Sequence, residues 1–144
     1  MTNVILALLA LASGVAITLQ AQFMGLMDRA MGTKESVVIT YGSGGLLVVL
    51  LAAATGGVRL KPPGIVPWYA YTTGLLGLVI VGTVGYVVPR MGAARGLTLV
   101  LASQFLLAAL IDQGGLFSAT VRPLDATRLV GLGIMLTGVW LVVR

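Results

Sequence analysis

The first 27 residues, Met1 to Met27, contain no charged side chain. No soluble fold of this size hides a run of that length, and a helix of about 20 apolar residues spans a bilayer. A secretory signal would carry a basic start and a shorter apolar core. The stretch therefore reads as a retained transmembrane helix. The rest of the chain repeats the pattern. Of 144 residues, 58% are hydrophobic and 9% charged, with a mean hydropathy of +1.07. A soluble domain carries roughly 25% charged residues.

Further spans are expected at about 36–55, 68–88, 93–112 and 125–143, after a first at 3–27. The second contains Gly42-Ser43-Gly44-Gly45, which favours close helix packing and a kink or local break. The third opens on the aromatic cluster Trp68, Tyr69 and Tyr71, suited to the membrane interface. The fifth is the shortest, with only 15 uncharged residues from Leu129 to Val143. It completes a span by adding Leu124–Thr127 and snorkelling Arg128 and Arg144. A count of four, with the last segment peripheral, is the alternative. Asp28–Glu35 reads as a short charged loop, Pro89–Gly92 as a tight turn, and Gly56–Pro67 and Gly114–Leu124 as longer connectors. The expectation is an all-α integral membrane protein, one domain of five transmembrane helices over residues 1–144.

The net charge of +5 is spread singly over span ends, with no basic run, so nucleic acid is not an expected partner. The lipid bilayer is. There is no cysteine and no histidine. That excludes disulfides, thiol nucleophiles and zinc centres, and no cofactor or metal is expected. No nucleophile–base pair appears, so the chain does not read as an enzyme.

Five spans divide the basic residues almost evenly. Arg59, Lys61, Arg122 and Arg128 share one side with the amino terminus; Arg29, Lys34, Arg90, Arg95 and Arg144 share the other. Orientation follows an excess of Lys and Arg on the cytoplasmic side, and four plus an amine against five is no excess. The chain is thus expected either to insert both ways up or to take one orientation set by lipids or a partner protein. Two opposed copies would form an antiparallel homodimer of ten helices, the inverted-repeat plan of many transporters.

Polar residues at membrane depth are the candidates for function, since they are costly there. Gln104 lies mid-span, placed either to bind a polar substrate group or to hydrogen-bond another helix. Asp112 lies about 12 Å further along the axis and about 80° around it, so one cavity could see both. It either binds a cation or exchanges a proton, or it pairs with a basic side chain. Asp28 is the other acid available for coupling. Gln20 and Gln22 are about 200° apart on a helix, so only one faces the bundle; Ser13, Gln20, Met24 and Met27 share a face. Tyr41, Trp68, Tyr69, Tyr71 and Tyr86 offer aromatic walls or interface anchors. Arg90 and Arg95 either meet an anionic group or snorkel.

From Pro67 onward the motifs are more specific. PWYAYTTGLLG, VVPRMGAA, ASQFLLAALIDQGGLF and RPLDATRLVGLGIMLTGVWLV follow in that order over the last 78 residues. Taken together they resemble the YdcZ-like family of short, five-helix bacterial proteins in the drug/metabolite transporter superfamily. Gln20 matches the family's first-helix glutamine. Met24 stands where an asparagine is usual, and Ser103 where a glycine precedes the mid-span glutamine. The resemblance implies an exporter-like protein of the bacterial inner membrane, half the size of the ten-helix members and working as a homodimer or as a heterodimer with a paralogue. It names no substrate beyond a small molecule. A passive channel, or a non-transporting subunit of a complex, is the alternative.

Overall fold

The computed structural model describes residues 2–58 and 66–144. Most of the Gly56–Pro67 connector, with Arg59 and Lys61, lies outside them. The described residues are all helical or irregular, with no strand. Five helices are long and apolar enough to cross a membrane. They are α1 (Thr2–Met31), α2 (Thr33–Ala54), α3 (Thr73–Met91), α4 (Ala93–Gly114) and α5 (Ala126–Val143). A five-residue 3-10 turn, Trp68–Thr72, leads into α3, and another, Leu116–Ser118, follows α4. Helices are the expected answer, because a chain in lipid must satisfy its backbone internally.

The loop expected at Asp28–Glu35 is not a loop, and the tight turn expected at Pro89–Gly92 narrows to one residue. Asp28–Met31 continue α1, and Thr33 already begins α2; one residue, Gly32, separates them. Pro89, Arg90 and Met91 likewise complete α3, and Gly92 alone separates it from α4. Gly32 has φ 101° and ψ 164°, and Gly92 has φ 86° and ψ 149°. That region is essentially restricted to glycine, so a single glycine serves as the whole link between successive helices. The local charges did not mark a loop; the glycine did. The glycine-rich stretch of α2 is also unbroken. Without water to compete, helical hydrogen bonds hold through glycines that would weaken a soluble helix. The fifth helix starts on a cap: Asp125 accepts from the Arg128 amide at 2.7 Å, satisfying an otherwise orphaned donor.

The chain divides into two compact units, residues 1–90 and 91–144. In the first, α1, α2 and α3 meet around Ala21, Met24, Ser36, Gly85 and Val88, all buried. Gly25 of α1 lies against Pro89 of α3, with 3.5 Å from its Cβ position to the ring. In the second, α4 and α5 pair with Arg95 near Arg144 at one end and Asp112 near Arg128 at the other. Little of either unit is buried: no span has more than 11% of its most apolar window inside the structure. The outer faces are left for lipid or another chain.

Candidate functional site

The first unit holds a groove of about 630 Å³. Its wall combines Gln20 of α1, Thr40, Tyr41, Gly44, Gly45, Val48 and Val49 of α2, and Val81 of α3. The glycines of α2 have no side chain to fill the space. Tyr41 reaches from α2 to α3, where its hydroxyl lies 2.6 Å from the Cβ position of Gly77. An alanine at Gly77 would displace it. The Thr40 hydroxyl donates back to the Ser36 carbonyl at 2.8 Å, leaving its lone pairs toward other donors. An amide, a phenol and a hydroxyl in an otherwise aliphatic wall suit a small, mostly apolar molecule with a few hydrogen-bonding groups.

One end of this unit carries a charged cluster. The Asp28 side chain is 4% exposed and receives the Arg90 guanidinium at 2.9 Å. Thr33 donates its hydroxyl to the other carboxylate oxygen. Arg90 also donates to the Tyr86 carbonyl at 2.7 Å and lies 3.6 Å over the Tyr86 ring. Such a stacked guanidinium gains a cation–π contribution. Arg29 donates to the Pro89 carbonyl at 3.2 Å, a second link from α1 to α3.

The second unit has a groove of about 450 Å³ between α4 and α5, lined by Phe105, Ala108, Asp112, Leu124, Arg128 and Met135 among others. Asp112 and Arg128 are 3.3 Å apart, each about a third exposed. Arg128 also donates to the Arg122 carbonyl at 3.0 Å, and the Arg122 amide donates to the Asp112 carbonyl at 2.9 Å. Asp112 therefore sits in a neutralised step joining the end of α4 to the start of α5.

The candidates from sequence are thus distributed. Gln20 and Tyr41 meet in one groove. Asp112 lines the other, with Arg128 as its partner. Gln104 is exposed on α4 and is not among the residues lining the Asp112 groove. Gln22 is exposed on α1. Trp68 is 78% exposed on the turn before α3, edge-on to Tyr69. Arg90 does not snorkel freely; it is committed to Asp28. The burial of Asp28 was hidden by the charged residues around it. The available signal was spacing: Asp28 falls four residues after Met24 and eight after Gln20, on the face that those two share. Among the described residues no cluster of acidic residues could hold a metal.

A family model described as "Putative inner membrane exporter, YdcZ" matches residues 5–141. The chain belongs to that family, and with five candidate spans it is a multi-pass protein of the inner membrane. No curated protein and no solved structure matches it.

Proposed function

We propose that this member of the inner-membrane exporter family is a secondary transporter that moves a small metabolite or drug by alternating access, working as an antiparallel dimer. The observation that carries the reading is the Gln20–Tyr41 groove. It has a volume suited to a small molecule, polar groups at membrane depth, and a wall built from three helices of one unit. Two further features support it. The helices keep most of their surface unburied, so a second copy has faces to cover. The basic residues divide four to five between the two sides, which removes the usual barrier to opposed insertion.

The groove contains no charged residue, and both Asp28 and Asp112 are ion-paired. That favours facilitated passage as the second reading, with the chain as a passive channel. Saturation separates the two.

The experiment is counterflow in liposomes loaded with a panel of amphipathic drugs and neutral metabolites. Saturable exchange that falls at least tenfold in Gln20→Ala and Tyr41→Ala supports a carrier using this groove. Unsaturable leak supports the channel. Topology is tested separately in the cysteine-free chain, with a single cysteine at Lys34 or at Val121 labelled by an impermeant maleimide in intact cells. Labelling of about half of each supports opposed insertion; complete labelling at one site and none at the other rules out the antiparallel homodimer.

A further inference from the structure

The Gln20–Tyr41 groove stops at the charged end of its unit, and the stop is built in register. One helical turn beyond three groove-lining residues stands a buried one. Met24 follows Gln20, Ser36 precedes Thr40, and Gly85 follows Val81. Met24 is 2% exposed and Ser36 is fully buried. A Cβ on Gly85 would lie 2.8 Å from the Met24 methyl and 3.8 Å from the Ser36 hydroxyl. The three helices therefore close on one another with no room for another side-chain atom. Asp28 and Arg90 lie one turn further out, over that plug.

A plug of Met and Val would close the groove without any charge. Burying an ion pair is a poor way to gain stability, so the polar layer calls for another explanation. Its partners supply one. Asp28 keeps Thr33, its neighbour across the Gly32 link. Arg90 keeps the carbonyl and ring of Tyr86, on its own helix. When the 2.9 Å bond between α1 and α3 breaks, each charge retains a local partner. Arg90 is also 47% exposed, so its head already has access to water. The bond has a made state and a furnished broken state, which is what a two-state element requires.

We infer that the Asp28–Arg90 pair, with the Met24–Ser36–Gly85 plug beneath it, is the gate at that end of the groove, closed in this structure, and that its opening is tied to closure of the opposite end. This rests on the transport reading above. It assigns Asp28 and Arg90 the role of gating residues, distinct from the binding wall.

The test is a pair of distance measurements by electron paramagnetic resonance in liposomes, without substrate. Nitroxide labels go on cysteines at Leu26 and Thr83 to read the gate end, and in a second protein at Leu47 and Leu75 to read the far end. All four positions are exposed, and labelled chain is diluted with unlabelled. Asp28→Asn removes one charge-assisted hydrogen bond, so the longer-distance population at Leu26–Thr83 is expected to grow about tenfold. In the same variant the Leu47–Leu75 distance is expected to shorten. Arg90→Lys, which keeps the charge, is expected to stay near the parent. Widening at the gate end with no change at the far end would make the pair a structural staple and overturn the inference, as would no change at either end. If Asp28→Asn does not fold by circular dichroism, Arg90→Gln, which removes the other charge of the pair and leaves Thr33 on Asp28, must give the same reciprocal shift. Absence of counterflow for every compound, with the reciprocal shift intact, would count against transport while sustaining the coupled movement.

Discussion

Gly85→Ala should destabilise the first unit, whereas Gly82→Ala, one turn away in the same helix, should not. Both changes recover intrinsic helix propensity, up to about 1 kcal/mol. They differ in what the new methyl meets. At Gly82 the nearest atom is a Val37 methyl at 3.9 Å, an ordinary contact. At Gly85 it is the Met24 methyl at 2.8 Å, about 1 Å inside the optimum for two carbons. Met24 is 2% exposed beside a fully buried Ser36, so it has no open space to turn into. Overpacking of that kind costs about 1–3 kcal/mol. The propensity gain cancels between the two variants, so their difference isolates the overpacking. Gly82→Ala should be neutral or slightly stabilising, and Gly85→Ala should lie about 1–3 kcal/mol below it. Shortening the opposing residue should remove the clash. The Cβ of Met24 is 3.8 Å from the new methyl, so in Met24→Ala/Gly85→Ala the two methyls fit. The double variant should be more stable than the sum of its singles by about 1–3 kcal/mol, within the range for residues in contact. Reversible unfolding by SDS in mixed micelles, followed by circular dichroism, gives all four values. Equal costs for Gly82→Ala and Gly85→Ala, or strict additivity with Met24→Ala, would refute the close approach of α1 to α3.

Gly25→Cys/Pro89→Cys should oxidise to a disulfide within one chain, because the Gly25 Cβ position is 3.5 Å from the Pro89 Cβ, within the usual disulfide spacing; two thiols still titratable after oxidation would contradict the packing. Asp125→Ala removes the α5 cap and should cost about 1 kcal/mol, seen as faster amide exchange confined to residues 126–128. Gly32→Ala and Gly92→Ala force a Cβ into a backbone region that disfavours it and should each lower stability by about 1–3 kcal/mol in the same SDS titration, whereas Gly44→Ala, with nothing within 4 Å, should not.

The spans were legible because each is a long apolar run, and in lipid such a run has one backbone solution. Their ends were less so. Asp28 and Arg90 sit among charges that resemble surface loops; spacing puts Asp28 on the face of Gln20 and Met24, but its counter-ion lies 62 residues away and only the packing of α1 on α3 brings the two together. Proline at 89 suggested a break, yet the helix runs two residues past it; the ring rests on Gly25, and that packing supports the last turn. Gln20 and Tyr41 were both recognisable as polar groups at depth, but their meeting depends on how α1 and α2 are linked at Gly32. For Asp112 the sequence leaves coupling and pairing both open. The structure supplies Arg128, whose position follows from the turn between α4 and α5.

The one-residue links at Gly32 and Gly92 also constrain how such a chain can evolve. A long loop can gain or lose lysines at no structural cost. Here Arg29 and Arg90 lie in helix ends, and both tie α1 to α3. A lineage drifting toward one fixed orientation, or two gene copies diverging into an opposed pair, would lose a strut with either change. Selection would be left to work on basic residues outside those helix ends, above all in the connector around Arg122, which is longer and already irregular. Divergence in topology between paralogues should therefore be written there first.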